Sequence, residues 1–394
     1  MDCRGSQDRE PVTSRAELLR SAGDLEGALA ELSRAEARAE LSASEKAEAR
    51  LLAGVCLRTL GALERALAAF ESVERDFPAE PEACARAREE RASTLLAQGR
   101  LEEAVESLRL AERDSRSPPA SRASARNQLG MALRMLRREP EALAVFDSVE
   151  RDFPAERRQC AWACVYRGGT LRALGRRAEA LAVWESVERV FSGLGDMCSM
   201  ARLVRAQTLR GDGQSGPALE LLESLERDFP DERDVCAWAR HERARTLRAL
   251  GRTAEAQAAR LSVERDYPDR RGRVARALAM AGLHESDPAA AMSILRRAAG
   301  YSDWLRWSAP ARLLLGEIDD REFERLMFDW RWRADVEYWR GELALREGRR
   351  RAASERFRRS LALNVPGYTW PEFDARLRLE ELARAQGPSR RPSG

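Results

Sequence analysis

The chain has 394 residues, 34% of them charged, yet a net charge of only +3. A balance this close gives no global pull toward nucleic acid or an anionic membrane surface. No apolar run approaches the roughly 20 residues that span a bilayer, and two histidines leave little material for imidazole-based acid–base or triad chemistry.

In chain order, residues 1–12 read as a tail. MDCRGSQDREPV lacks the apolar core of a secretory signal, and no hydrophobic segment precedes Cys3 to make it a lipid anchor. A soluble, cytoplasmic protein is therefore expected. From residue 13 the sequence repeats every 38 positions. Ala66–Glu80, ALAAFESVERDFPAE, returns at Ala142–Glu156 as ALAVFDSVERDFPAE, and Glu36, Glu74, Glu112, Glu150, Glu188, Glu226 and Glu264 keep the same spacing. A fixed period in this range marks a solenoid, whose units bury their apolar faces against their neighbours.

One unit, Ala237 to Tyr267, shows how it folds. Ala239, Ala244 and Leu247 place small and apolar residues along one helical face, and Gly251 stops that helix. A second helix carries Ala256 and Val263 and ends at Asp266-Tyr267-Pro268, because a residue before proline is steered out of the α region. The small residue recurs as Ala16, Gly54, Ala92, Gly130, Gly168, Ala206 and Ala244. Seven positions later comes the turn site, Gly23, Gly61, Gly99, Arg137, Gly175, Gly213 and Gly251. Five further on stands an alanine without exception, Ala28, Ala66, Ala104, Ala142, Ala180, Ala218 and Ala256. A proline follows at Pro78, Pro154, Pro230 and Pro268, and a leucine four before the turn is unbroken from Leu19 to Leu247.

These sites resemble the tetratricopeptide repeats. The resemblance implies an all-α, right-handed solenoid of stacked antiparallel helix pairs over seven repeats, residues 13–270. It also implies a concave groove lined by the first helices and a non-catalytic scaffold that binds another protein there. Two features depart from the family. The period exceeds the roughly 34 residues usual there, and the bulky aromatic early in the first helix gives way to Arg50, Arg88, Arg126, Arg202 and Arg240. Those arginines are expected at the surface.

Residues 271–332 read as a degenerate repeat and a helical segment rich in tryptophan, with Trp304, Trp307, Trp330 and Trp332. They are expected to form core rather than an exposed patch. Residues 333–386 hold a terminal repeat, with Gly341, Gly348, Ala353 and Phe357 at the repeat spacing, and a capping helix from Glu372 to Gln386; 387–394 reads as a disordered tail. This end is similar to the C-terminal part of some bacterial tetratricopeptide lipoproteins.

Catalytic and metal constellations are not evident. Cys84, Cys160, Cys198 and Cys236 share one repeat position, with Arg122 in the missing slot, and read as small, partly buried residues too far apart for disulfides. Cys160 and Cys164 lie on one helical face but fall short of a four-ligand zinc site. No cofactor or metal is expected. Gly211-Asp212-Gly213 lacks the lysine and spacing of a phosphate loop. The Glu-Arg-Asp group at each second-helix end recurs with the repeat and reads as a solvated helix end.

Three positions before the turn stand Arg20, Arg58, Arg134, Arg172, Arg210 and Arg248, with Leu96 breaking the series. By the resemblance this face lines the groove. Beside the arginine rail, Asn127, His241 and Arg245 fall on the same face, and Trp162 and Trp238 form an apolar strip. The candidate partner-binding set is Arg58, Asn127, Arg134, Trp162, Arg172, Arg210, Trp238, His241, Arg245 and Arg248. The rail would grip acidic groups of a peptide or protein, since guanidinium donates two parallel hydrogen bonds to a carboxylate. Alternatively each arginine pairs within its repeat to second-helix glutamates such as Glu179 or Glu255. A single-stranded nucleic-acid binder with the indoles as stacking platforms, and a regulatory subunit of a separate enzyme or secretion system, are the other readings. No membrane insertion is expected.

Overall fold

The computed structural model describes residues 13–21, 24–301, 305–327, 329, 332–363 and 372–385. Among them the chain forms helices and no strand. The first four helix pairs are α1 (Ser14–Ser21) with α2 (Leu25–Glu36), α3 (Ala43–Thr59) with α4 (Leu63–Asp76), α5 (Pro81–Gln98) with α6 (Leu101–Arg113), and α7 (Pro119–Met135) with α8 (Glu139–Asp152). Three more are α9 (Arg157–Ala173) with α10 (Arg177–Val190), α11 (Gly195–Gly211) with α12 (Ser215–Asp228), and α13 (Arg233–Ala249) with α14 (Thr253–Asp266). Then come α15 (Arg271–Leu283) with α16 (Pro288–Ala299), α17 (Leu305–Leu315), α18 (Asp320–Leu326), α19 (Arg333–Arg346) with α20 (Arg350–Leu363), and α21 (Glu372–Ala385). The chain divides into two compact units, residues 1–160 and 161–394. Inside each, consecutive helices pack together and first helices pack on first helices, α3 on α5 and α5 on α7 in one unit, α11 on α13 and α13 on α15 in the other.

The small-residue site is where paired helices nearly touch. A Cβ added to Gly54 would lie 2.5 Å from the Phe70 ring, one on Gly130 2.4 Å from Phe146, and one on Gly168 2.4 Å from Trp184. Each glycine thus accepts an aromatic knob from the second helix; where the first helix carries alanine instead, as at Ala92 and Ala206, the matching positions hold Leu108 and Leu222, and all four are buried. The turn residues take left-handed backbone, from φ 75° at Gly251 to 80° at Gly213, and Arg137 is forced to φ 60° where its equivalents are glycine. The Gly23 turn site lies outside the described residues.

The arginines in place of the family aromatic are not surface residues, as expected from the sequence, but inter-repeat clamps. Arg88 binds Glu74, at the end of the preceding second helix, at 2.6 Å and Asp114, just beyond its own, at 2.9 Å, with only 14% of its side chain exposed. Arg50, Arg126, Arg202 and Arg240 repeat this grip, each with its guanidinium over the ring of Phe77, Phe153, Phe229 or Tyr267. The carboxylates of the Glu-Arg-Asp groups thus pair with neighbouring arginines, as expected, with the glutamates more enclosed than the aspartates. Among the described residues the cysteines are buried and in no disulfide, and the thiols of Cys84, Cys160, Cys198 and Cys236 donate to the carbonyls of Phe77, Phe153, Phe191 and Phe229. In the missing slot the guanidinium Nε of Arg122 donates to the Glu112 carbonyl at 3.0 Å.

Of the tryptophan-rich segment, Trp304 and Trp330 lie outside the described residues. Trp307 meets Trp332 edge-on at 5.6 Å, and Trp339 is buried in the core with Tyr338 and Phe357. Two glycine substitutions separate the forces that set the repeat. Gly168→Val should cost about 1–3 kcal/mol or more by overpacking, since Trp184 is pinned by its hydrogen bond to the Val165 carbonyl. Gly175→Ala meets no neighbouring atom and should cost only about 1 kcal/mol of backbone strain. Denaturant midpoints check both.

Candidate functional site

The first helices carry the candidate residues, and their spacing decides which carboxylates they meet. Arg58 reaches Glu90 on the next first helix at 2.6 Å, and Arg210 reaches Glu242 in the same way at 3.0 Å. In each case the glutamate follows 32 positions later. These arginines do pair internally, but not with second-helix glutamates: Glu179 and Glu255 instead hold Arg176 and Arg252. For Arg172 the position 32 later is Val204, and no carboxylate among the described residues lies in ion-pair range. Burial lowers its pKa, and Glu372 and Asp212 are the charges that most oppose this.

In the first unit, Asn127 is buried and its Nδ2 donates to the carbonyl and side chain of Gln159 at 2.9 and 3.1 Å. Arg134 is buried as well. The same face holds Glu89, 38 positions before Asn127, which the sequence reading passed over. It accepts hydrogen bonds from Ser124 Oγ and Gln128 Nε2, each at 2.7 Å, and burial pushes its carboxyl up to about 7.

In the second unit, Trp162 stacks on Tyr166 at 5.2 Å, and Arg273 lies 4.6 Å from the Trp238 ring centroid. Arg210, Glu242 and Arg245 are almost wholly buried, and Glu242 bridges both arginines. Burial pulls Arg210 down to about 10, which still leaves it charged at neutral pH. Burial would raise the Glu242 carboxyl, but Arg245 and Arg210 outweigh it and hold the group at about 2. His241 is buried, and desolvation beside Arg276 keeps it neutral.

Helix α21 completes this arrangement from outside the repeats. Its Asp374 meets Arg245 at 2.9 Å and its Glu381 meets Arg248 at 2.6 Å. Arg378 binds Glu342 at 2.7 Å and lies 3.5 Å from Nε2 of His284, whose Nδ1–H donates to the Met280 carbonyl. One more cation sits beneath. Arg260 occupies the knob position filled by Leu32, Phe70, Leu108, Phe146, Trp184 and Leu222 in the other repeats. It is 1% exposed, and its Nε and Nη2 have no hydrogen-bond partner. Its place in the 38-residue series was the available signal. Among the described residues no cluster of His, Cys, Asp and Glu is arranged to hold a metal, and no helix is long and apolar enough to cross a membrane.

The small-residue sites, the left-handed turns and the paired helices now stand together with a sequence match to the tetratricopeptide repeat family over residues 13–81, 66–120 and 90–157. Residues 13–157 therefore carry tetratricopeptide repeats. Among curated proteins, none matches the sequence. Among solved structures it is similar to the apo form of the quorum sensor NprR from B. thuringiensis, at 14% identity and TM-score 0.49 over 89% of this chain and 96% of that one. It is also similar to the Rap conjugation gene regulator of plasmid pLS20 in complex with the Phr* peptide, at 11% identity and TM-score 0.49 over 96% and 97%. A tetratricopeptide repeat protein from Parabacteroides merdae matches at 13% identity and TM-score 0.35 over 95% and 98%.

Two carboxylates give opposite pH behaviour. Glu242→Gln leaves buried arginine charge uncompensated and should cost roughly 3–5 kcal/mol at pH 7. Because the folded pKa is depressed, that deficit should shrink as pH falls from about 4.5 toward 2. For Glu89 the folded pKa is raised, so the stability of its protonated form is lost as pH rises from about 4.5 to 7. Glu89→Gln should therefore gain on the wild type by on the order of 2–3 kcal/mol between pH 5 and pH 8. Thermal or denaturant unfolding across pH checks both signs.

Proposed function

We propose that this protein is a non-catalytic scaffold that binds an acidic segment of another protein through the arginine-bearing faces of its first helices. The observation that carries the reading is the seating of α21. A helix that belongs to no repeat is held on α13 by its carboxylates, through Arg245–Asp374 and Arg248–Glu381. Charge-assisted pairs of this kind are the chemistry an acidic partner would use. The candidate residues divide by access. Arg58, Trp162, Arg172 and Trp238 keep part of their surface exposed, whereas Asn127, Arg134, Arg210, His241 and Arg245 are buried. A nucleic-acid reading draws less support, because one face of each indole is already covered, by Tyr166 or Arg273.

The test uses synthetic helical peptides, one set acidic and one neutral, with the intact chain. Acidic peptides should bind more tightly, should weaken severalfold between about 50 and 300 mM salt as the Debye length shortens, and should lose affinity to Arg58→Gln and Arg172→Gln. Fluorescence anisotropy reads each effect. Equal binding of acidic and neutral peptides would sink the reading.

A further inference from the structure

Helix α21 is seated by apolar and ionic contacts together: Ala375 and Leu382 are buried, Leu379 packs half-buried against the same core, and ion pairs tie the helix to α13. Three features of the surface beneath it point to a ligand. The paired cations Arg245 and Arg248 face carboxylates two helical turns apart, Asp374 and Glu381. The half-buried Arg172 has no carboxylate in ion-pair range among the described residues, and Glu372 at the start of the helix is the acidic group that most supports its charge. Arg260, buried where every other repeat has an apolar knob, is left without a matching carboxylate, and Asp374 is the acidic group that acts on it most. An unmatched buried guanidinium is costly, so α21 satisfies this surface incompletely.

We propose that the face of α13 and α14 beneath α21 is a docking site for an acidic helix of a partner protein, and that α21 is its resident occupant, displaced on binding. This rests on the scaffold reading above and names the partner's chemistry. It is a helix with carboxylates two turns apart on one face, like Asp374 and Glu381, and a further acidic group that reaches Arg260. The partner wins the exchange because it supplies the ion pair to Arg260 that α21 does not make. The repeats of the second unit thus present a groove that is closed until such a helix arrives.

The experiment uses the full chain. Asp374→Asn with Glu381→Gln loosens the resident helix, and the probe is a fluorescein-labelled peptide of residues 372–385. The peptide should bind the loosened chain at least roughly 10-fold more tightly than the wild type, because the competing cis occupant is weakened. A peptide carrying the same two substitutions should bind neither. Adding Arg260→Leu restores the residue type of Leu32, Leu108 and Leu222 and should preserve helicity and leave the affinity of this peptide within about twofold, since α21 makes no ion pair to Arg260. Hydrogen exchange on the wild type gives a readout free of substitutions. The amides of α21 should exchange at least roughly 100-fold faster than those of α13. Protection of α21 equal to α13, or equal peptide affinity for loosened and wild-type chains, overturns the displacement. Acidic peptides that bind both chains equally leave the scaffold reading standing; acidic peptides that bind neither overturn both.

Discussion

Everything in this protein depends on how closely two helices of a pair can approach. The contact is a small residue on the first helix against a knob 16 positions later on the second. Glycine admits an aromatic ring, as at Gly54 with Phe70 and Gly168 with Trp184; alanine stands opposite leucine, as at Ala92 with Leu108. The left-handed turn between them holds the register, so that even Arg137 adopts a backbone better suited to glycine. With the pair fixed, first helices pack on first helices within each unit, and residues at one repeat position become neighbours there.

That regularity makes the exceptions informative. Most charges that recur with the period are absorbed by architecture: Arg88 and its equivalents clamp the ends of adjacent second helices. Arg58 and Arg210 are absorbed by a glutamate on the next first helix, Glu90 and Glu242, and Arg248 by Glu381 of α21. Where valine stands instead, Arg172 has no such partner. In the last regular pair the knob itself is Arg260, and there the repeat's packing rule yields to electrostatics. Asp374, on the helix whose carboxylates already serve Arg245 and Arg248, is the acidic group that acts most on Arg260. The departures from the repeat therefore gather on one face of the second unit.

The sequence was legible wherever a property repeats locally. Helix pairs, the glycine turns, the small-residue sites and the fold class follow from a pattern that stays within 38 residues. So does the anomaly at Arg260, once its series is aligned. The clamp role of Arg50 and its equivalents was not legible, because surface and interface arginines have the same sequence pattern until the preceding helix is placed beside them. Nor was the pairing of the rail, which runs between first helices rather than within a repeat. Glu89 was hidden by its neighbours in the series, since Val165 and Leu203 at that position gave no sign of a buried carboxylate.

By itself the sequence determined the repeating unit: its two helices, its turn and the residues small enough to let the helices meet. Only the tertiary structure decided where α21 lies and which charges it meets, because Arg248 and Glu381 are 133 positions apart. Local steric and hydrogen-bonding rules act over one or two helical turns and can be read from spacing. An ion pair across such a distance depends on how the intervening helices stack, and no spacing in the chain encodes it.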